Sequence, residues 1–237
     1  MKENETLDQN ITLVDEEILE TLSYHVPAGG SLHLSLASFT NLKNTTITVE
    51  VEEGGHFEGA FADFSRSKYT FTLNVHLKGK ASQCDWHLAS IGAKDDEKRY
   101  DTSVYHESPE SMGLMSNYGI AEDTSKLIFA GVSEIQKGAK KTHTRQVAKV
   151  IVFDPKADAL ASPILKIGEN DVEASHAAVV GRLSEEHLFY LESRGVDEAM
   201  AKRLITLGYL KPIEGYYSDA KIAQRIDDAI EGGISHD

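Results

Sequence analysis

Ten histidines and one cysteine stand among the 237 residues, and both side chains can hold metal ions or move protons near neutral pH. His33, His56 and His76 recur at about the interval of the turn glycines described below. In a layered structure that interval could stack their rings into a metal-binding column. The alternative is that they pair along strands or sit at the surface. Cys84-Asp85-Trp86-His87 offers two more potential ligands, but strand alternation sends Cys84 and Trp86 to one face and Asp85 and His87 to the other. Cys84 therefore reads as a core thiol. A lone cysteine excludes a disulfide framework and any self-contained thiolate site for zinc or an iron–sulfur cluster. The chain lacks the Gly-x4-Gly-Lys-Ser/Thr phosphate loop of a nucleotide hydrolase and the Gly-x-Ser-x-Gly elbow of a serine hydrolase. It also lacks a convergent acid cluster suited to a carbohydrate enzyme. An enzymatic reading has little support in these residues.

Charge and hydropathy narrow the partners. The 24 basic residues are outnumbered by 38 acidic ones, giving a net charge of −14, which argues against a nucleic-acid backbone as ligand. No apolar run approaches the length of a membrane span, and the opening MKENETLDQN is too polar for a secretory signal. The expectation is a cytoplasmic protein with neither membrane nor nucleic-acid contact.

The elements that must position these residues follow from periodicity. Leu32, Leu34 and Leu36 alternate with polar neighbours, as do Ile47, Val49 and Val51, and Tyr69, Phe71, Leu73, Val75 and Leu77; such alternation predicts half-buried strands. Gly30, Gly54 and Gly79 mark turns roughly 25 residues apart, in the range of solenoid repeats. Between Gly92 and Gly113, the charge run Asp95 to Arg99 reads as a solvated loop or hairpin tip. Strand periodicity resumes at Leu127-Ile128-Phe129 and continues through Val147, Val150, Val152, Ile164, Leu165 and Ile167, as last coils adjoining helices. Near the start, Ile11, Val14, Ile18 and Leu22 are spaced for a short amphipathic helix, with an edge strand over Ile11 to Val14 as the alternative.

From Leu183 the apolar period becomes helical. Ser184 is the expected cap of a first helix, with Leu183 stapled onto Leu188 and Gly195 as its left-handed stop. Asp197 should cap a second helix with Met200, Leu204 and Leu207 on one apolar face, either packed on the body or presented to a partner, ended by Gly208 and kept from resuming by Pro212. Ser218 or Asp219 should cap a third, with Ile222, Ile226, Ala229 and Ile230 in a stripe and Gly232-Gly233 as its stop. The expected divisions are an acidic segment over 1–26, a strand-built core over 27–182 and a helical subdomain over 183–237.

The ordered series ENDVEASHAAVVGR, LFYLESRG (Leu188 to Gly195) and AxxLITxGYLxPI (Ala201 to Ile213) resembles the SufB/SufD family of iron–sulfur cluster assembly proteins, SufD more than SufB. The resemblance implies a mainly β fold, a right-handed parallel β-helix with a small C-terminal α-helical subdomain, in a short form without the N-terminal helical domain of larger members. It implies that the C-terminal helices dock a SufC-type ABC ATPase, with Leu188, Phe189, Tyr190, Ser193, Arg194, Gly195, Leu204 and Gly208 as candidate contacts. It also implies pairing with a SufB-like subunit or a second copy through the solenoid's end. His176 occupies the family's histidine position and is the candidate cluster-assembly residue, whose structural alternative is a core hydrogen bond. Departures matter here: Ala174 stands where SufD members often have cysteine, Ala177 where SufB members have glutamate, and Val147 or Ala148 where SufB has an essential cysteine. The implied protein is not an enzyme, holds no cofactor alone and meets a transient cluster only in a complex.

Overall fold

The computed structural model describes residues 8–183 and 185–232. Among them, thirteen strands follow in chain order: β1 (Asp8–Val14), β2 (Thr21–Val26), β3 (Ser31–Ser38), β4 (Thr45–Val51), β5 (His56–Asp63), β6 (Lys68–Leu77), β7 (Gln83–Gly92), β8 (Glu97–His106), β9 (Met112–Ala121), β10 (Lys126–Ile135), β11 (Thr142–Val152), β12 (Asp158–Ile167) and β13 (Val172–Arg182). Odd-numbered strands build one sheet and even-numbered strands the other, each in sequence order. Every pairing is parallel, as in β3 with β5 and β6 with β8. The chain is thus a parallel β-helix, a flattened solenoid in which each coil gives one strand to each face.

Alternation explains the core. Inward residues such as Leu34, Phe61, Phe71, Trp86, Tyr100 and Phe129 are buried between the sheets, while their strand neighbours face outward. The coil repeat lengthens along the axis. Register partners Ser31, His56, Gln83, Met112, His143 and Glu173 are separated by 25, 27, 29, 31 and 30 residues. Glycine spacing loses the repeat for a local reason. The left-handed turn position is held by Gly29 and Gly54, then by Ala81, Glu110 and Lys141, all with φ between 56° and 67°. Their amides bond carbonyls of the next coil, Gly29 to Glu53, Gly54 to Lys80 and Ala81 to Pro109. Gly79 has a different constraint, because a Cβ there would run into the backbone of Glu52 and Glu53.

Two strand regions depart from the sequence reading. No amphipathic α-helix forms over Ile11 to Leu22, only a single 3-10 turn (Asp15–Glu17) between two strands: β1 and β2 join β3 and β4 as end strands, so the edge-strand alternative is the correct one there. Pairing satisfies a row of backbone groups that a marginal two-turn helix would leave frayed. The charge run is a loop only at its start, since Asp95 and Asp96 lie in a turn but β8 begins at Glu97. Glu97 and Arg99 point to solvent while Lys98 turns inward. There its Nζ donates to the Ile91 carbonyl at 2.8 Å and lies 3.3 Å from buried Asp63. Asp63 also accepts hydrogen bonds from the hydroxyls of Tyr69 and Tyr100.

The C-terminal part contains α1 (Glu185–Glu192), α2 (Glu198–Leu210), a 3-10 segment (Lys211–Tyr216) and α3 (Ala220–Gly232). Gly195 takes φ +82° after α1, and Asp197 caps α2 through the Met200 amide at 2.8 Å. Asp219 accepts from the Lys221 amide at the start of α3. The expected Ser184 cap and the Gly233 part of the last stop lie outside the described residues. Gly208 does not end α2, which runs on to Leu210 before Pro212 diverts the chain; with no left-handed turn there, the glycine has no stopping role. Met200 and Leu204 are exposed rather than packed. The buried side of α2 is Ala201, Thr206 and Leu210, with Leu207 partly buried, because the register of the whole helix is set by the C-terminal anchors. These are Leu210, Ile213, Tyr217, Ile226 and Ile230, which pack on Ala37, Ala60, Ala62 and Ala89 of the odd sheet's outer face. The small side chains let helix and sheet approach. Tyr217 donates to the Leu36 carbonyl and accepts from the Ala62 amide, while Arg225 reaches Asp15 at 3.0 Å. Burial raises the Asp15 carboxyl's pKa, but the amides of Phe39 and Thr40 and the Arg225 guanidinium outweigh it and leave a net lowering.

Candidate functional site

The solenoid ends on β12 and β13, each paired on one side only. β13 aligns with β11 so that Gln146 faces His176, Thr144 faces Ala174 and Ala148 faces Ala178. Register partners share a face, so His176 points along the lumen side. Gln146 is buried one coil deeper, whereas His176 is exposed because no further coil covers it. Around this mouth the inward residues Val180 and Ile167 are exposed too, Ile167 at 51%. Leu160 and Ile164 leave an apolar strip on the outside of β12.

Behind His176 the lumen is polar. Gln146 Nε2 donates to Ser133 Oγ at 2.8 Å and to the Ile164 carbonyl at 3.0 Å, tying the two sheets together. Thr144 Oγ1 donates to the Gly113 carbonyl at 3.2 Å and lies 3.0 Å from Ser133 Oγ, whose own hydroxyl can donate back to it. Farther in, Asn117 Nδ2 lies 3.5 Å from Thr102 Oγ1. Glycine makes room: a Cβ at Gly131 would stand 2.5 Å from Gln146 Oε1. His106 lines the same region, with Nδ1 at 2.9 Å from Ser111 Oγ, itself 3.1 Å from Thr142 Oγ1. Burial pushes the His106 pKa down to about 4, so its ring is neutral at pH 7. Among the described residues, Gln146 Oε1, Asn117 Oδ1 and His106 Nε2 meet no hydrogen-bonding partner. The arrangement can present one imidazole to an incoming group and hold polar atoms behind it.

A second surface is the hairpin of α1 and α2. Phe189 is 73% exposed and Leu204 55%, with Tyr190 and Met200 also bare. Leu188 is half-buried, and Arg194 lies over the Tyr190 ring at 5.0 Å. Ser193 Oγ donates to the Tyr190 carbonyl at 2.7 Å, closing the turn that Gly195 completes. Gly208 is elsewhere, on a cleft between α2 and the odd sheet.

The histidine column does not form, because His76 lies on β6 in the even sheet while His33 and His56 lie on β3 and β5 in the odd one. His33 and His56 stand edge to face at 6.3 Å, and each meets a carboxylate, Glu58 at 2.7 Å and Asp85 at 2.9 Å. The Asp85 hydrogen bond raises the His56 pKa against the effect of burial. Among the described residues no group of three or more histidine, cysteine or acidic side chains could hold a metal ion. Cys84 and Trp86 point inward and Asp85 and His87 outward, as alternation requires, and burial pushes the Cys84 thiol pKa far up. Sequence reading missed Gln146, Ser133 and Thr144. Their signal was present: polar residues at 142, 144 and 146 occupy the inward phase of a strand that continues with Ala148, Val150 and Val152.

No helix among the described residues is long and apolar enough to cross a membrane. Residues 25–209 match the family model described as SUF system FeS cluster assembly, SufBD core domain. The iron-sulfur cluster assembly protein SufD of Bacillus subtilis is 35% identical over 139 residues, 59% of this chain and 32% of that protein. A SufBD family protein of Staphylococcus saprophyticus is 24% identical over 163 residues, 68% of this chain and 35% of the relative. SufD of Plasmodium berghei is 24% identical over 182 residues, 75% of this chain and 13% of that protein. The chain thus spans about a third of the length of its bacterial relatives. With a family model covering most of its length and a parallel β-helix carrying His176 at the mouth, the chain belongs to the SufBD core family of iron–sulfur cluster assembly proteins.

Proposed function

We propose that the chain is a SufD-like, non-enzymatic subunit of an iron–sulfur cluster assembly complex, docking a SufC-type ABC ATPase through α1 and α2. The observation that carries this reading is the bare apolar face of Phe189, Tyr190, Met200 and Leu204 on a hairpin anchored to the body by its opposite side. An amphipathic helix with uncovered anchors at helical spacing fits a partner's groove, and family membership supports an ATPase as that partner.

The open end pairs with a SufB-like subunit or with a second copy of the chain. Edge strands with unpaired backbone groups invite such augmentation. β12 carries Pro163, which cannot donate to a ladder, whereas β13 has no proline. Antiparallel self-pairing of β13 about Ala177 and Ala178 would set Glu173 against Arg182 at both ends. A dimer joins the two mouths, bringing each His176 to the junction as a ligand or proton-handling group for the cluster, which is cargo here. Thiolates must then come from another protein: Cys84 lies three strands from β13, about 14 Å away at some 4.8 Å per strand.

Co-expression with a SufC-type ATPase tests the docking. Wild type should capture it, and a Phe189→Asp, Leu204→Asp variant should not, with strand-rich circular dichroism unchanged because both positions are exposed. Undiminished capture by that variant would refute the docking role.

A further inference from the structure

Between α2, the following 3-10 segment and the outer face of the odd sheet lies a cleft of about 210 Å³. Its walls include Tyr118 and Tyr209, edge to face at 5.9 Å, and His87 and Tyr216, stacked at 4.2 Å. Ser116 lies on the same wall, and Gly208 gives the cleft a stretch of bare helix backbone. A mid-helix glycine costs roughly 1 kcal/mol relative to alanine, and neither helix termination nor a close protein contact requires this one. Among the described residues the ring nitrogens of His87, Ser116 Oγ and the hydroxyls of Tyr118 and Tyr209 make no hydrogen bond. Aromatic walls with a few free polar groups are the usual composition of a small-molecule site.

We propose that this cleft binds a small, neutral, planar heteroaromatic molecule, stacked against the tyrosines and hydrogen-bonded at its edge by Ser116 and His87. Charge selects neutrality from both sides. Lys149 already lies 5.6 Å from the Tyr118 ring centre and repels a second cation. Glu58 and Asp85 act on His87 and Tyr216 and repel an anion. Burial lowers the His87 pKa, keeping the imidazole neutral and able both to donate and to accept at pH 7. The volume suits one ring or two fused rings and falls short of the several hundred Å³ typical of larger ligands. The inference is independent of cluster assembly, since it uses neither His176 nor the exposed hairpin face.

The test uses the full chain, with adenine and indole as probes and cyclohexanol as the saturated control, followed by amide chemical shifts. Saturable shifts confined to the cleft strands and α2 are expected for the aromatic probes and absent for cyclohexanol. Ser116→Leu, which fills the cleft, should weaken binding by about ten-fold or more, and Tyr209→Leu should weaken it while keeping apolar bulk. Should Ser116→Leu fail to fold, Tyr209→Leu and the comparison of probes on wild type still decide. No saturable shift with either aromatic probe, equal binding of cyclohexanol, or unchanged affinity in the folded variants would overturn the assignment.

Discussion

Between β3 and β8 the lumen is filled by Phe57, Phe61, Phe71, Trp86 and Tyr100, whereas the inward positions nearer the other end include Asn117, Ser133, Thr144, Gln146 and finally His176. In the first region rings pack against rings, with Phe71 and Trp86 stacked at 5.8 Å and Phe61 and Phe71 centred 4.8 Å apart. Gly59 lets Trp86 lie across its strand, since a Cβ there would come within 2.6 Å of the indole. In the second region Phe129 is the last inward ring, and beyond it hydrogen bonds take over and glycines leave space. The aromatic half supplies stability, and the polar half leads to an end that remains open. A solenoid can divide labour in this way because each coil contacts mainly its neighbours.

The largest effects should come from the aromatic half. Trp86→Ala should cost about 3–5 kcal/mol in urea unfolding, since it removes a fully buried indole and leaves a void that stacked rings cannot fill. A similar loss, about 3–5 kcal/mol, is expected for Lys98→Met, which leaves the Asp63 carboxylate buried without its cation. If Lys98→Met instead unfolds like wild type, the Tyr69 and Tyr100 hydroxyls alone suffice for Asp63.

The border with the polar half should reveal itself through pH, at His106, whose ring closes β8 against Ser111 and Gly113. His106 binds its proton with a pKa near 4 when folded and near 6.5 when unfolded, so the unfolded chain holds more protons between those values. Its contribution is therefore complete above pH 6.5 and erodes as pH falls towards 4, by roughly 3 kcal/mol in total at 1.36 kcal/mol per unit. A His106→Gln variant should lose that part of the acid sensitivity; an unchanged profile would place the titration elsewhere. The smallest effect is expected for Gln146→Leu, within about 1 kcal/mol, because the change also removes the unpartnered Oε1 and leaves Ser133 bonded to Thr144. A loss as large as that of Trp86→Ala would erase the distinction between the two halves.

The strands were legible wherever burial followed chain alternation, as in β3, β6 and β11, and so was the inward turn of Cys84. The caps at Asp197 and Asp219 and the stop at Gly195 were legible because they depend on neighbours only a few residues away. β8 was hidden because Lys98 becomes acceptable inside only through Asp63, a partner contributed by an earlier coil. The left-handed turn column faded once Ala81, Glu110 and Lys141 replaced glycine, their strain carried by the ladder between coils. Of the site, His176 was identified through resemblance. Its lumen-side placement depends on the register with Gln146, which periodicity does not determine. The outward turn of Met200 and Leu204 depends on how Leu210, Ile213 and Tyr217 anchor the segment to the sheet.

The central claim is that this chain handles an iron–sulfur cluster only with another protein's thiolates, offering His176 at the open end. Anaerobic reconstitution with iron and sulfide, then desalting and measurement of bound iron, tests it most directly. The protein alone should retain no stoichiometric iron, while its complex with a cysteine-bearing SufB-like subunit should retain a cluster that His176→Ala weakens. Stoichiometric iron held by the wild-type chain alone, and lost in Cys84→Ser or His176→Ala, would contradict the account and make the chain a scaffold in its own right.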